Sequence, residues 1–592
     1  MARPLLDTAL HHEGDILLFG FLTRHGGSDA DPLANHETAE RFARSLPLDD
    51  PLKTLKALST ALSTLTGKSD PDVEQLGVLL TLDLRTERLC EELLHNSVER
   101  GLRSWPPENT VWQGLLELAS AFGRAYAHFL RQPREKPTNK VWLESVPRVL
   151  IQFFRHWQVE NLLSVFRYEQ LAPARWRELH EAYLFGRTLQ LSKTPSSVGL
   201  DKRKRAADGT MDREYLQILL LQLMNNGEFT PREVFWARRR IAGWSTEVSL
   251  VSADADDGKR SGDERFVVDL SSGEGLRRPP IESPKALFYL DLSPVIASID
   301  EEIDSLGDSA AIDGSTPDVQ PVLRSLLPKL KILFSSRPVR MEWRGEREAS
   351  ELITAHVVPG LSTIIRTLHD EWERVQAVRH LPGPFVEEIT ITDVGGCWRE
   401  TADGASNDPR AITLPATAGD ASAEHAWRIK NRSESGTLLR GRVDDPYRVI
   451  PGSLIAFRGR SDGQWTIAVV RRLKRIMRSN VEIGVEHMGC NPQGVTIAAD
   501  PENGCSAQGS TEKRDRFSAL FLRGSAQHPK VPIKTLLLPA REFEPGRRMV
   551  LLSTSMNYTL RLKEPLEPQA DFVWTAFEII ARQPRGSRVA AR

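Results

Sequence analysis

The chain lacks most of the marks by which common function classes announce themselves. Only four of its 592 residues are cysteine, Cys90, Cys397, Cys490 and Cys505, and no two form a C-x-x-C pair. That argues against a disulfide scaffold or a structural zinc site and suits a reducing compartment. No apolar run approaches the ~18 residues that a membrane-spanning helix requires. The opening residues, Met1-Ala2-Arg3-Pro4-Leu5-Leu6-Asp7, contain no apolar signal-peptide region. A cytoplasmic protein with no transmembrane segment is the expectation. An excess of one charge is missing as well. Seventy-eight bases against 79 acids leave a net charge of −1, too little to draw in a nucleic acid polymer or an anionic membrane.

Catalytic signatures are equally scarce. There is no G-x-G-x-x-G at a strand–helix junction, no G-x-x-x-x-G-K-[S/T], no H-E-x-x-H and no G-x-S-x-G. His11-His12 has no carboxylate at ligand spacing, and His95, His156 and His180 fall on separate predicted helices, so no metal set is traceable. Cys397 lies in Asp393-Val394-Gly395-Gly396-Cys397, beside Trp398 and Arg399, with no traceable base to activate it. The expectation is a non-enzymatic protein without cofactor or metal.

What is present is an ordinary globular composition, 40% hydrophobic and 27% charged, on a chain long enough for three or four domains. Leu52 to Leu65, Asp72 to Arg100, Trp112 to Arg131, Val146 to Tyr168 and Ala174 to Leu191 carry apolar residues at three- and four-residue spacing. Residues 1–194 therefore read as an α-helical domain, repeat-like around Trp176-x-x-Leu179-His180-x-x-Tyr183. A polar linker follows at 195–210, whose Lys202-Arg203-Lys204-Arg205 reads as a solvated loop. Residues 211–380 read as a second α-rich region. Thr230-Pro231-Arg232-Glu233 is a helix start, and Phe266 to Leu270 and Ala286 to Leu290 make a small β insert. Helices are expected at Pro294 to Leu306, Asp318 to Phe334 and Ile353 to Val378.

Beyond residue 380 the period changes to that of strands. Residues 381–500 read as a β-barrel, 501–516 as a linker, 517–582 as a second small β-barrel or sandwich, and 583–592 as a basic tail. Within the first of these, Asn431-Arg432-Ser433-Glu434-Ser435-Gly436 sits between two candidate strands. Asn431 and Ser433 offer short polar side chains two residues apart, and Gly436 permits a tight turn or the close approach of a ligand. Such a stretch can read the edge of a nucleobase. It is also what a plain hairpin turn looks like.

The residues downstream resemble a known family. Asn431, Ser433 and Gly436 match the [D/N]-x-S-x-x-G motif of the PilZ domain, a small bacterial β-barrel best known as a cyclic di-GMP receptor. Val469-Val470-Arg471 is similar to its "GVVRW" strand and Ile483-Gly484-Val485-Glu486 to its "IGVEF" strand; the resemblance covers roughly residues 383–500. It implies a barrel that binds cyclic di-GMP. Asn431 and Ser433 would meet a guanine, and Gly436 would allow the approach. PilZ receptors also carry an R-x-x-x-R motif just before the first barrel strand. With Val386 to Thr392 taken as that strand, the preceding bases are Arg374 and Arg379, spaced one residue too far, and Gly383 stands where a second arginine belongs. Arg379, helped by Arg374 or Arg432, is then the expected phosphate contact.

The run Arg471 to Arg478 holds five bases and no acid, without the interleaved aromatics of a nucleic-acid strip, and reads as a solvated hairpin loop or a further phosphate contact. Two functions follow from the resemblance. One is a signalling protein that senses cyclic di-GMP and relays to a protein partner through its helices. The other is an interaction adaptor whose PilZ-like barrel no longer binds nucleotide.

Overall fold

A computed structural model of the chain describes residues 33–47, 49–66, 72–99, 109–135, 140–196, 209–253, 265–278, 287–308, 319–335, 348–379, 427–443, 449–459, 463–476, 480–500, 516–523, 534–553 and 556–584. Among the described residues eleven helices come first: α1 (His36–Ser45), α2 (Pro51–Thr66), α3 (Val73–Glu99), α4 (Asn109–Phe129), α5 (Arg131–Glu135), α6 (Lys140–Phe166), α7 (Pro173–Thr188), α8 (Met211–Leu223), α9 (Pro231–Trp244), α10 (Ser293–Asp308) and α11 (Gln320–Phe334). Between α9 and α10 lies the small sheet, β1 (Leu250–Ser252), β2 (Phe266–Asp269) and β3 (Leu287–Leu290), in the order β1-β3-β2.

These elements share one apolar core that runs without a break from Leu33 to Phe334. Tyr126, Trp157, Tyr183 and Tyr215 are among its largest buried side chains. The expected division near 195–210 thus separates no two cores. Local chemistry starts the helices where the sequence indicated. At α9 the Thr230 hydroxyl accepts from the Glu233 amide at 3.3 Å, and the Glu233 carboxylate accepts from the Thr230 amide at 2.8 Å. Glu233 also accepts from Lys329 at 2.7 Å, tying α9 to α11. The Trp176, Leu179, His180 and Tyr183 pattern forms the buried stripe of α7.

His180 carries a stability prediction. Wholly buried, it accepts a hydrogen bond at Nδ1 from the Tyr215 hydroxyl (2.7 Å) and donates from Nε2 to the Glu274 carbonyl (2.8 Å). Desolvation holds its pKa below the ordinary value, although the bond to the Glu274 carbonyl works the other way. As pH falls below about 6.5 the unfolded chain takes up a proton that the native state refuses. Its stabilising contribution is therefore whole above that pH. It is lost, at up to about 1.4 kcal/mol per pH unit, as pH falls toward the folded-state pKa. The urea midpoint of the helical signal should drop between pH 7 and pH 5, with a shallower slope in His180→Gln. An equal slope in the variant would refute this assignment.

The remaining strands build two closed barrels. The first contains β4 (Glu348–Pro359), β5 (Trp427–Arg432), β6 (Gly436–Arg442), β7 (Leu454–Gly459), β8 (Thr466–Arg475) and β9 (Asn480–Cys490), in the order β4-β5-β6-β9-β8-β7. The second contains β10 (Gln493–Ala499), β11 (Arg516–Leu522), β12 (Thr535–Pro539), β13 (Arg548–Leu552), β14 (Met556–Pro568) and β15 (Phe572–Pro584), in the order β10-β11-β12-β15-β14-β13. Counted within each barrel, both orders are 1-2-3-6-5-4, and both close by pairing strand 1 with strand 4. The two barrels are topological copies.

The first strand corrects the sequence reading. Ile353 to Val378 was expected as one helix, but its opening residues belong to β4, and helix α12 (Leu361–Arg379) begins only after Gly360. Ile353, Thr354, Val357 and Val358 are β-branched. Pro359 disfavours helical backbone at Val358, and Gly360 turns the chain at φ +82. The barrel therefore starts at Glu348 rather than 381, and β10, expected in the first barrel, is the first strand of the second. Val386 to Thr392, Gly383 and Cys397 lie outside the described residues.

Helix α12 packs on β4, β7, β10 and β11. Glu371 of α12 accepts from Arg458 (3.0 Å) and Trp465 Nε1 (2.9 Å). Ile364 on α12, Leu454, Ile467 and Val469 on the first barrel, and Leu520, Leu537 and Trp574 on the second form one apolar cluster. This covers the β4-β7 side of the first barrel. Each barrel has its own interior besides, around Ile429, Leu439, Ile455, Val470 and Ile483 in the first and Ile497, Phe521, Leu536 and Leu551 in the second.

Candidate functional site

The Asn431 to Gly436 stretch joins β5 to β6, so the hairpin reading and the motif reading fall on the same residues. Ser433 closes the turn: its amide donates to the Gly436 carbonyl at 2.8 Å and its hydroxyl donates to the same oxygen at 3.1 Å. That uses the hydroxyl proton and leaves the oxygen able to accept. Asn431, by contrast, is a strand residue, half-buried, paired with Ala349 on β4 and Leu438 on β6.

Gly436 has a reason within the fold as well. A Cβ there would stand 2.7 Å from the Val485 carbonyl oxygen, so the turn needs glycine for its close approach to the backbone of β9.

His487 on β9 fixes the hairpin from below. Its Nδ1 donates to the Glu434 carbonyl (3.1 Å), its Nε2 accepts from the Thr437 hydroxyl (2.8 Å), and its amide donates to the Ser435 carbonyl (2.9 Å). The sequence reading passed over His487, although it stands directly after the "IGVE" residues. Three hydrogen bonds from one residue hold the turn in a single geometry, as a preorganised binding edge requires.

Register places the rest of the face. A bulge at Lys430 lets Asn431 stand opposite Leu438, Leu438 opposite Gly484, and Gly484 opposite Arg472. These four residues form one outward row across β5, β6, β9 and β8. Gly484 leaves open space between its neighbours, since a Cβ there would meet only the Arg472 side chain, at 3.6 Å. The row is a flat floor with an amide at one end and a guanidinium at the other.

The basic run beginning at Arg471 is not a loop. Arg471 to Arg475 belong to β8, and a second bulge, at Arg471, turns that side chain out of the alternation. Arg471 donates to Glu486 at 2.6 Å and grips Glu567 of β14 with both terminal nitrogens, linking the barrels. Arg475 is buried and donates to the Arg167 carbonyl at 3.1 Å. Among the described bases of this run, only Arg472 and Lys474 are exposed.

The expected phosphate contacts fare differently. Arg374 is exposed on α12, which lies on the β7 side of β4, whereas β5 flanks β4 on its other edge. It is not brought to the Asn431 row. The side chain of Arg379 lies outside the described residues. Arg432, exposed and paired with Glu348 and Thr437, remains adjacent to the hairpin.

The register also exposes a motif that the sequence reading missed. Glu348 and Ala349 at the start of β4 pair with Arg432 and Asn431. Just before Glu348 the chain reads Arg340-Met341-Glu342-Trp343-Arg344, an R-x-x-x-R. The signal was in the sequence. It went unread because the first strand was placed some forty residues downstream.

Among the described residues no group of His, Cys, Asp and Glu could hold a metal ion, and no helix is long and apolar enough to cross a membrane. In comparisons with known proteins, residues 37–255, from α1 to just past β1, match the family model described as the N-terminal domain of the cyclic-di-GMP receptor FimW. No curated protein and no solved structure matches the chain.

Proposed function

We propose that the chain is a cytoplasmic, non-enzymatic cyclic di-GMP receptor whose first barrel is a PilZ-type domain, and that the helical region relays ligand binding to a protein partner. The observation that carries this reading is the register at the start of β4. It sets Asn431 opposite Ala349, five residues after Arg344. The four-residue step from Arg344 to Glu348 spans at most about 14 Å. The second arginine of the R-x-x-x-R therefore precedes the Asn431 pairing by a short step of chain, with Arg340 four residues before it in the sequence.

Each part then has a role set by its chemistry. Asn431 supplies a donor and an acceptor to a guanine edge, and the Ser433 oxygen an acceptor. Arg340 and Arg344 suit the phosphates, for which paired guanidinium donors are fitted. Arg472 closes the far end of the row. The match of residues 37–255 to a receptor's N-terminal domain supports the same reading from a separate part of the chain.

Isothermal titration of the full chain tests it. Micromolar affinity, about −8 kcal/mol, is expected. Asn431→Ala should weaken it on the order of tenfold by removing one net hydrogen-bond pair. No heat at tens of micromolar ligand from folded protein would leave the adaptor reading instead.

A further inference from the structure

Two residues along β6, β9 and β8 from the Asn431 row, and three along the bulged β5, stands a second, charged one. Arg428 lies directly opposite Arg440, Arg440 opposite Glu482, and Glu482 opposite Lys474. Their chain neighbours Ile429, Leu439, Ile483 and Leu473 fill the barrel interior, so by strand alternation these four side chains point outward. Arg428 and Lys474 are exposed, and Arg440 is half-buried.

The Arg428–Arg440 pair in this row does not stabilise the fold. Like charges directly opposite one another on neighbouring strands are destabilising. The carboxylate nearest in register, Glu482, is already held by Lys430 at 2.8 Å. Among the described residues, no ion pair compensates Arg428 or Arg440. The opposite side of the barrel is closed by α12 and the second barrel, which leaves this face outward.

We propose that the row docks an acidic polypeptide segment of a partner protein. Three strand spacings separate Arg428 from Lys474, about 14 Å. That matches carboxylates four residues apart on an extended chain or near ten apart on a helix. A nucleic acid fits less well. No aromatic side chain stands in either row for a base to stack on, and Glu482 sits in the middle of any phosphate track. A peptide of mixed charge tolerates that carboxylate. The proposal goes beyond the receptor reading and is independent of the nucleotide.

Fluorescence anisotropy of labelled decaglutamate with the full chain, without nucleotide, tests it, with decaglutamine and oligothymidine of equal length as the other probes. Decaglutamate should bind at low salt, weaken at physiological salt, and lose on the order of tenfold in Arg428→Glu/Arg440→Glu. Decaglutamine should not bind, and Asn431→Ala should change nothing. Should the reversals perturb folding, Arg428→Gln/Arg440→Gln provides the same readout, with a thermal midpoint equal to or above the parent. No decaglutamate binding, or binding within twofold of the parent in both variants, overturns the proposal. So does oligothymidine binding more tightly than the peptide and being lost in the same variants.

Discussion

Arg344→Ala is expected to weaken cyclic di-GMP binding on the order of a hundredfold, and Arg340→Ala/Arg344→Ala to remove measurable binding. A hydrogen bond to a charged group contributes about 1.5–3 kcal/mol, and a paired guanidinium–phosphate contact lies toward the top of that range. Losing two such contacts is worth roughly two to four powers of ten in affinity. Arg344→Lys should recover only part, because an ammonium cannot reproduce the planar fork. Arg374→Ala is the matched control. It removes an exposed guanidinium on α12, on the other edge of β4, and should leave affinity within about twofold. All three positions precede or lie outside the β4 ladder, which begins at Glu348, so thermal midpoints should hold. Titration calorimetry on the four variants decides between the arginine pairs. A large loss in Arg374→Ala with none in Arg344→Ala would reverse the assignment.

That choice shows what the sequence could and could not carry. Strands β7, β8 and β9 were legible because Val and Ile alternate between clear turn residues. The second barrel was legible for the same reason, from Phe517 to Ile580. Strand β4 was not, because Leu352, Ile353, Val357 and Val358 also satisfy a helical spacing that continues into α12. Only the Pro359-Gly360 break, a weak signal beside that period, told against a single helix. Misplacing one strand then moved the search for the arginines to the wrong segment. Residues whose role depends on register were beyond reach in a different way. Arg471 reads as part of a solvated basic run, and only a bulge aims it at Glu486 and Glu567. Likewise, Gly436 faces the Val485 carbonyl, a contact 49 residues away in sequence that no local pattern encodes.

The seam between the first barrel and the helical region gives the other large effect. The chain leaves α6 through Tyr168, at φ 59, and Tyr168 is inserted into the interior cluster of the barrel. Arg475 donates from its amide to the Tyr168 carbonyl at 3.3 Å, and the Leu473 amide donates to the Gly227 carbonyl at 2.9 Å. Asn225 braces the two turns by donating to the Glu169 carbonyl at 2.6 Å. Gly227 lies at φ +85, and a Cβ there would stand 2.1 Å from the Leu473 carbonyl oxygen. An L residue in that conformation costs roughly 1–2 kcal/mol, and the clash cannot be relieved without lifting the end of β8. Gly227→Ala is therefore expected to open the seam, with Leu473 and Arg475 amides losing hydrogen-exchange protection while the centre of β8 keeps it. Gly243→Ala, in α9 with nothing within 4 Å of the added carbon, should instead be neutral or stabilising. Strand β8 pairs with β9, whose His487 holds the β5–β6 hairpin, so the seam lies two strands from the proposed site. If ligand binding biases the helical region by this route, cyclic di-GMP should alter protection in the α6 and α8–α9 turns of the parent but not of Gly227→Ala. Affinity itself should stay within about threefold, because coupling and binding are separable free energies. Transfer that persists in the variant would exclude the seam as the path.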